Sequence, residues 1–123
     1  MLAGIKKMFG YFELKIDDKT TVGDFKTKFE KAFSTKVRLY NLTKDGKINS
    51  GKGSSVADGH TLLKNISAGN KASGTITVNG DLIVSAVEKM MAEQFGIGIQ
   101  ILTPDGSTFA PNSLAVKAVK DIK

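Results

Sequence analysis

The stretch that decides the fold runs from Ile16 to Tyr40, IDDKTTVGDFKTKFEKAFSTKVRLY, and it aligns without a gap with VNGDLIVSAVEKMMAEQFGIGIQIL, which starts at Val78. Apolar residues coincide along both runs, with Val22, Phe25, Phe29 and Phe33 matching Val84, Val87, Met91 and Phe95. An Asp-Gly pair follows each run at a similar distance, Asp45-Gly46 and Asp105-Gly106. We therefore predict two units with the same fold, related by pseudo-symmetry.

The first unit has the pattern strand, helix, strand. Residues 12–16 and 36–40 alternate apolar and polar side chains, which is the period of a half-buried strand. Between them, the apolar residues from Val22 to Phe33 recur at spacings of three and four, which predicts an amphipathic helix. Thr20 and Thr21 precede this helix, and a threonine hydroxyl there can accept a hydrogen bond from a free amide of the first turn.

The second unit repeats the pattern, with a strand at 75–78, a helix from Val84 to Phe95 and a strand at 97–102. Two strands joined by a crossover helix are normally parallel, so we expect parallel strands in each unit. The pair Asn79-Gly80 is also a hairpin signal, which leaves a short hairpin arm at 81–83 as an alternative start to the helix.

These patterns predict an α/β (α+β) chain with a first unit at 1–68, including an N-terminal extension, a linker at 69–74 and a second unit at 75–123. A hydrophobic fraction of 41% can support a core. The strand-helix-strand order, repeated twice, also fits a ferredoxin-like topology, which stays an alternative.

The helix of the first unit, Lys36-Val-Arg-Leu-Tyr40, a glycine turn and Asp58-Gly-His-Thr-Leu62 ending at Ile66 together resemble the second half of ubiquitin-like β-grasp domains. The resemblance covers about half of each unit and implies a β-grasp fold that is often used for binding. The chain is also similar to small bacterial proteins of an uncharacterised family that carry this tandem pattern, a resemblance that implies no activity.

The composition excludes several classes of site. The chain has no cysteine, so disulfides, thiolate metal sites and a cysteine nucleophile are excluded, and a single histidine, His60, argues against a histidine metal site or catalytic triad. No apolar stretch approaches the length of a membrane span, and the N-terminus does not read as a signal peptide. We therefore expect a cytoplasmic protein.

One motif has the spacing of a phosphate-binding loop, from Gly46 to Lys52. Such a loop needs a Ser or Thr after the lysine and a helix directly behind it, but Gly53 follows Lys52 and no helix is predicted there. We interpret it as a mobile surface loop and expect no cofactor and no catalytic site.

Charge is unevenly distributed. Residues 1–70 hold 13 Lys and Arg against 7 Asp and Glu, while residues 71–123 hold 5 against 5, for a net charge of +6. An excess of positive charge keeps a protein in solution, and it can also mark an anionic partner. The basic first unit therefore leaves nucleic acid open as a partner.

The candidate binding surface combines aromatic and basic side chains. If the apolar residues of the two strands face the helix, the opposite faces carry Tyr11 and Lys15 on one strand and Lys36, Arg38 and Tyr40 on the other. Met90 takes the position of Lys28 on the second helix, and its exposure would indicate a contact surface. An N-terminal apolar stripe including Leu2 and Phe9 is a docking helix, a membrane-surface anchor or a cover over the core.

From this pattern we expect a small non-catalytic binding or adaptor module that acts through protein–protein contacts. The alternative is a nucleic-acid-binding protein that uses the basic first unit, because aromatic and cationic side chains on an open sheet can stack on single strands.

Overall fold

The computed structural model describes residues 11–41, 55–56, 59–68 and 73–122. These residues form a mixed α+β structure in which the elements, in chain order, are β1 (Tyr11–Ile16), α1 (Val22–Phe33), β2 (Val37–Tyr40), β3 (Ser55–Val56), α2 (Leu63–Ile66), β4 (Gly74–Asn79), α3 (Val84–Phe95), β5 (Gly98–Ile101) and a C-terminal 3-10 helix (Val116–Asp121). A strand precedes and follows each of the two long helices, and both helices have the bounds that their apolar spacing predicts.

Local signals explain where α1 begins. Thr21 is the N-cap, and its hydroxyl accepts a hydrogen bond from the backbone amide of Asp24 at 3.1 Å, while the Asp24 carboxylate accepts one from the Thr21 amide at 2.9 Å. This reciprocal pair is a capping box, which satisfies two otherwise free amides. The threonine cap predicted from the sequence is therefore confirmed.

The start of α3 is set by a turn. The Leu82 amide donates to the Asn79 carbonyl at 3.0 Å, and the Asn79 side chain accepts from the Asp81 amide at 2.8 Å. The chain then enters the helix at Val84. The hairpin arm considered for residues 81–83 does not form; the Asn-Gly turn connects a strand to a helix instead.

The two strands that flank each long helix pair with strands of the other unit and not with each other. All six residues of β1 pair antiparallel with β4, and all four residues of β2 pair antiparallel with β5; the short β3 adds to the other edge of β2. The expectation of parallel strands within each unit is therefore wrong. The crossover rule applies to strands of one sheet, and here the two strands that flank each long helix lie in different sheets.

The two sheets share one pseudo-two-fold axis. The alignment that matches Ile16 with Val78 also matches Leu14 with Ile76 and Arg38 with Gln100. These counterparts face each other directly, Leu14 opposite Ile76 in one sheet and Arg38 opposite Gln100 in the other. A residue meets its own counterpart only on a two-fold axis. The sequence repeat therefore becomes a symmetric pairing of two interlocked units.

After its second strand, each unit returns to the start of its own helix. In the first unit the amides of Val22 and Gly23 donate to the carbonyls of Thr61 and Gly59, at 2.8 and 3.0 Å. In the second unit the corresponding amides, Val84 and Ser85, donate to Leu114 and Asn112, at 2.9 and 3.0 Å. Both helix N-termini are thus closed by backbone carbonyls, which leaves no amides of the first turn for an anionic ligand.

One core is built from both units. It contains Phe12, Phe25, Phe29 and Leu39 of the first unit together with Ile76, Met91, Ile99 and Ile101 of the second. The rings of Phe12 and Phe29 lie 5.7 Å apart between centroids, and those of Phe29 and Phe33 lie 5.0 Å apart. The apolar stripes of both helices are buried as their spacing predicts. Gly74, which the sequence places in the linker, opens β4.

Candidate functional site

The sheet of β3, β2 and β5 has one face in the core and one outside it. Val37 and Leu39 of β2 and Ile99 and Ile101 of β5 belong to the core. Because successive side chains of a strand point to opposite faces, the residues between and beside them belong to the other side. We call this side, made of Lys36, Arg38, Tyr40, Gln100, Leu102 and Phe109, the outer face.

Phe109 joins the outer face through a strand-like return of the chain. Leu102 and Phe109 are antiparallel bridge partners, and beside them the Ala110 amide donates to the Ile101 carbonyl at 2.8 Å. Directly opposite residues of a ladder share a face, so Phe109 stands next to Leu102, while Ala110 enters the core. The ring is 58% exposed, the largest value for a bulky apolar side chain in the described part of the chain.

The turn that carries Phe109 is held by one carboxylate. Asp105 accepts hydrogen bonds from the Ser107 amide at 2.9 Å, the Ser107 hydroxyl at 2.7 Å and the Thr103 hydroxyl at 2.7 Å. These bonds, led by those from Ser107, lower the pKa of Asp105 to about 2. Its neighbour Gly106 adopts a φ of 76°, and a Cβ there would lie 2.9 Å from Cδ of Lys36. The turn therefore lies against the Lys36 side chain.

Both cations of the outer face, Lys36 and Arg38, contact a neighbouring side chain. Nζ of Lys36 lies 3.3 Å from Oε1 of Glu30, and both side chains remain about half exposed. Nη1 of Arg38 donates to the Tyr40 hydroxyl at 3.4 Å, while the rest of this exposed side chain faces solvent. Arg38 is thus the cation of this face with no carboxylate partner among the described residues.

Tyr40 corrects one prediction. Alternation along residues 36–40 puts Tyr40 on the outer face, and its hydrogen bond with Arg38 agrees, but the side chain is only 7% exposed. Tyr40 therefore cannot offer its ring as an open stacking platform. It acts as a support for Arg38.

The other candidates lie elsewhere. Tyr11 and Lys15 are on β1, in the two-stranded sheet, where Tyr11 is half-buried and Lys15 exposed. Met90 is half-buried on α3 and packs against the core. The structure therefore brings together Lys36, Arg38 and Tyr40 of the six predicted residues, and it adds Phe109.

An open depression of about 800 Å³ lies near Lys15, between β1 and the start of α1. Its charged lining consists of Lys15, Lys19 and Lys28 together with Asp17 and Asp24, and His60 also lines it. Asp24 belongs to the capping box, and hydrogen bonds from the Lys19 amide and the Thr20 hydroxyl lower the pKa of Asp17. With mixed charge and with the helix amides already bound, the depression is a weaker candidate than the outer face.

Glu88 is an unusual group that the sequence did not single out. It lies half-buried on α3, and its Oε2 accepts a hydrogen bond from the Ile101 amide at 3.0 Å, at the edge of β5 that faces away from β2. Burial raises the pKa of this carboxyl. Its counterpart in the first unit is Lys26, so the repeat gives no hint of the contact.

Two further sequence motifs cannot be assigned to this surface. The loop from Gly46 to Lys52 and the stripe from Leu2 to Phe9 lie outside the described residues. Within the described ranges, no group of three His, Asp or Glu side chains is placed to hold a metal ion, and no helix is long and apolar enough to span a bilayer. Comparison with protein-family models, with curated proteins and with solved structures finds no match.

Proposed function

We propose that the protein is a small, non-catalytic binding module that acts through protein–protein contacts at the outer face. The observation that carries this proposal is Phe109, 58% exposed at the end of a turn that Asp105 holds by three hydrogen bonds. Aromatic and arginine side chains on a preorganised surface are the usual centres of binding energy in protein interfaces. Phe109 would enter an apolar pocket of the partner, and Arg38 would meet a carboxylate.

A protein partner is favoured over nucleic acid by the state of the basic and aromatic residues. Stacking on single strands uses several open rings, whereas Tyr40 is covered and Phe109 is the exposed ring on this face. Lys36 already has Glu30 as its ion-pair partner. Nucleic acid stays the second candidate because Lys36 and Arg38 still place two positive charges beside Phe109 on an open sheet.

The non-catalytic and cytoplasmic parts of the proposal rest on the sequence, with its single histidine and no cysteine. The finer fold proposal is that each unit is β-grasp-like. It is supported by the order helix, strand, short strand and short helix in the first unit, and by the binding of the Gly59–Leu62 turn to the start of α1.

The test is a comparison of partner binding by three variants of the 123-residue chain. Phe109→Ser and Arg38→Gln change the outer face, whereas Leu82→Ser removes an exposed apolar side chain from the turn before α3 and serves as the matched control. Once a partner is captured and purified, its affinity is measured by calorimetry. We expect Phe109→Ser to weaken binding by about tenfold or more, as for an interface hot spot, and Leu82→Ser to leave it unchanged. Equal binding by all three variants would contradict the proposal.

A salt titration separates the two candidates. Binding to mixed-sequence single-stranded DNA and RNA is measured with the wild type and with a Lys36→Ala, Arg38→Ala double variant. Affinity for nucleic acid falls steeply with salt because phosphate contacts release counterions. We expect no salt-sensitive binding by the wild type; tight binding that the double variant loses would make nucleic acid the partner.

A further inference from the structure

The interface between the two units has the form of an interface between two chains. Within the described residues, β1 finds its strand partner only in β4, and β2 shares four pairs with β5. The Thr35 hydroxyl of the first unit donates to the Leu102 carbonyl of the second at 2.5 Å, and the C-terminal 3-10 helix contacts α1. A first unit without a second one would expose two strand edges and half of the core.

The contacts that join the units extend to the end of the first one. The Ala68 amide donates to the Gly96 carbonyl at 2.7 Å, and the Ser67 hydroxyl donates to the Phe95 carbonyl at 2.6 Å, so Ser67 and Ala68 are already bound to the C-terminal end of α3. The covalent connection between this anchored point and β4 is the chain from 69 to 73. None of the contacts between the units depends on that connection.

The pairing of β2 with β5 favours contact between a first and a second unit over contact between two first units. On the pseudo-two-fold axis Arg38 faces Gln100. Two first units, paired by the same operation, would place Arg38 opposite Arg38, and like charges directly across a ladder are destabilising. A first unit therefore accepts a second unit in preference to another first unit.

We propose that a second copy of this chain is a binding partner through exchange of units. In the exchanged dimer each lobe contains the first unit of one copy and the second unit of the other, and all the contacts described above are kept. Such exchange needs no new contact and is a low-cost route to a dimer. A short linker provides an effective concentration of about 1 mM, so the monomer dominates in dilute solution and the dimer forms when the chain folds near that concentration.

The experiment uses two variants of the whole 123-residue chain, each of which damages one unit. Phe29→Asp places a charge at a fully buried position of α1, and Met91→Asp does so at the matched position of α3. Each variant alone lacks an intact lobe. When both are unfolded, mixed and refolded at about 1 mM, close to the effective concentration of a short linker, one lobe can form from the intact first unit of one chain and the intact second unit of the other.

The readout is the amide spectrum of the mixture with ¹⁵N only in the Met91→Asp chain. We expect resonances of residues 11–41 to return to their wild-type positions, while those of residues 84–95 stay in the unfolded range. The control is the same chain refolded alone at the same total concentration, which stays unfolded throughout. A mixture that remains unfolded, or a single variant that recovers the folded spectrum without its complement, would overturn the proposal.

Discussion

The repeat provides a matched pair of helix ends that tests the pseudo-symmetry energetically. Ser34 ends α1 with a φ of 54°, and its counterpart Gly96 ends α3 with a φ of 65°. Both residues adopt the left-handed conformation that favours glycine. Their surroundings differ, because Ser34 is exposed, whereas a Cβ on Gly96 would clash with the Ala68 carbonyl oxygen.

The two sites therefore respond in opposite directions. For Gly96→Ala, left-handed strain of about 1–2 kcal/mol adds to the loss of the Ala68–Gly96 hydrogen bond, about 1 kcal/mol, so we expect the free energy of unfolding to fall by about 2–3 kcal/mol. For Ser34→Gly, relief of the same strain exceeds the entropy cost of a new glycine, and we expect a gain of about 0.5–1 kcal/mol.

The measurement is urea denaturation followed by far-ultraviolet circular dichroism, with Ser34→Ala as the control because it keeps a Cβ in the same conformation. The dependence of the free energy on urea should be the same for all variants, since each unfolds the same surface. A Gly96→Ala variant that loses no more than about 1 kcal/mol, which backbone strain alone would explain, would refute the placement of Ala68 against the end of α3.

Three further predictions concern the core, the buried carboxyl and the axis. Phe29→Ala should lower the free energy of unfolding by about 3–5 kcal/mol in urea denaturation, because it removes a fully buried ring; a loss under about 1 kcal/mol would place Phe29 outside the core. Burial raises the pKa of Glu88 above its ordinary value of 4.5, so its proton stabilises the folded state at low pH and this contribution is lost as pH rises through the folded pKa. Glu88→Gln, which keeps an acceptor for the Ile101 amide, should therefore gain stability over the wild type between pH 4 and pH 7 as measured by urea denaturation; equal pH profiles would contradict this. Gln100→Arg should destabilise the protein by about 0.5–1 kcal/mol at low salt by facing Arg38 with a like charge, whereas Gln100→Glu should not, and thermal unfolding of both variants checks the sign.

Part of the candidate site was predictable from the sequence. Alternation along residues 36–40 placed Lys36 and Arg38 on the face opposite the core, because side-chain direction in a strand follows from local geometry. Phe109 was missed because its exposure depends on the antiparallel return that sets it beside Leu102. A bulky apolar residue three positions after an Asp-Gly turn was the one available signal.

Glu88 and Tyr40 are two further residues whose surroundings in the fold could not be predicted from the sequence. No residue near Glu88 in the sequence indicates that its carboxylate accepts a hydrogen bond from the amide of Ile101, thirteen residues away. Likewise, the burial of Tyr40 depends on the residues that pack around it in the fold and not on its position in the strand. Both properties are set by segments that approach one another only after the units have packed.

The sequence by itself determined the two long helices, the threonine cap of α1, the strands that flank each helix and the repeat, because periodicity and capping act over a few consecutive residues. Only the tertiary structure decided how the strands pair. Within one unit the strands could have been neighbours, but burying both apolar stripes in a single core brings β4 beside β1 and β5 beside β2. Pairing between distant segments is selected by the apolar surface that it buries, a property of the whole chain and not of any stretch of it.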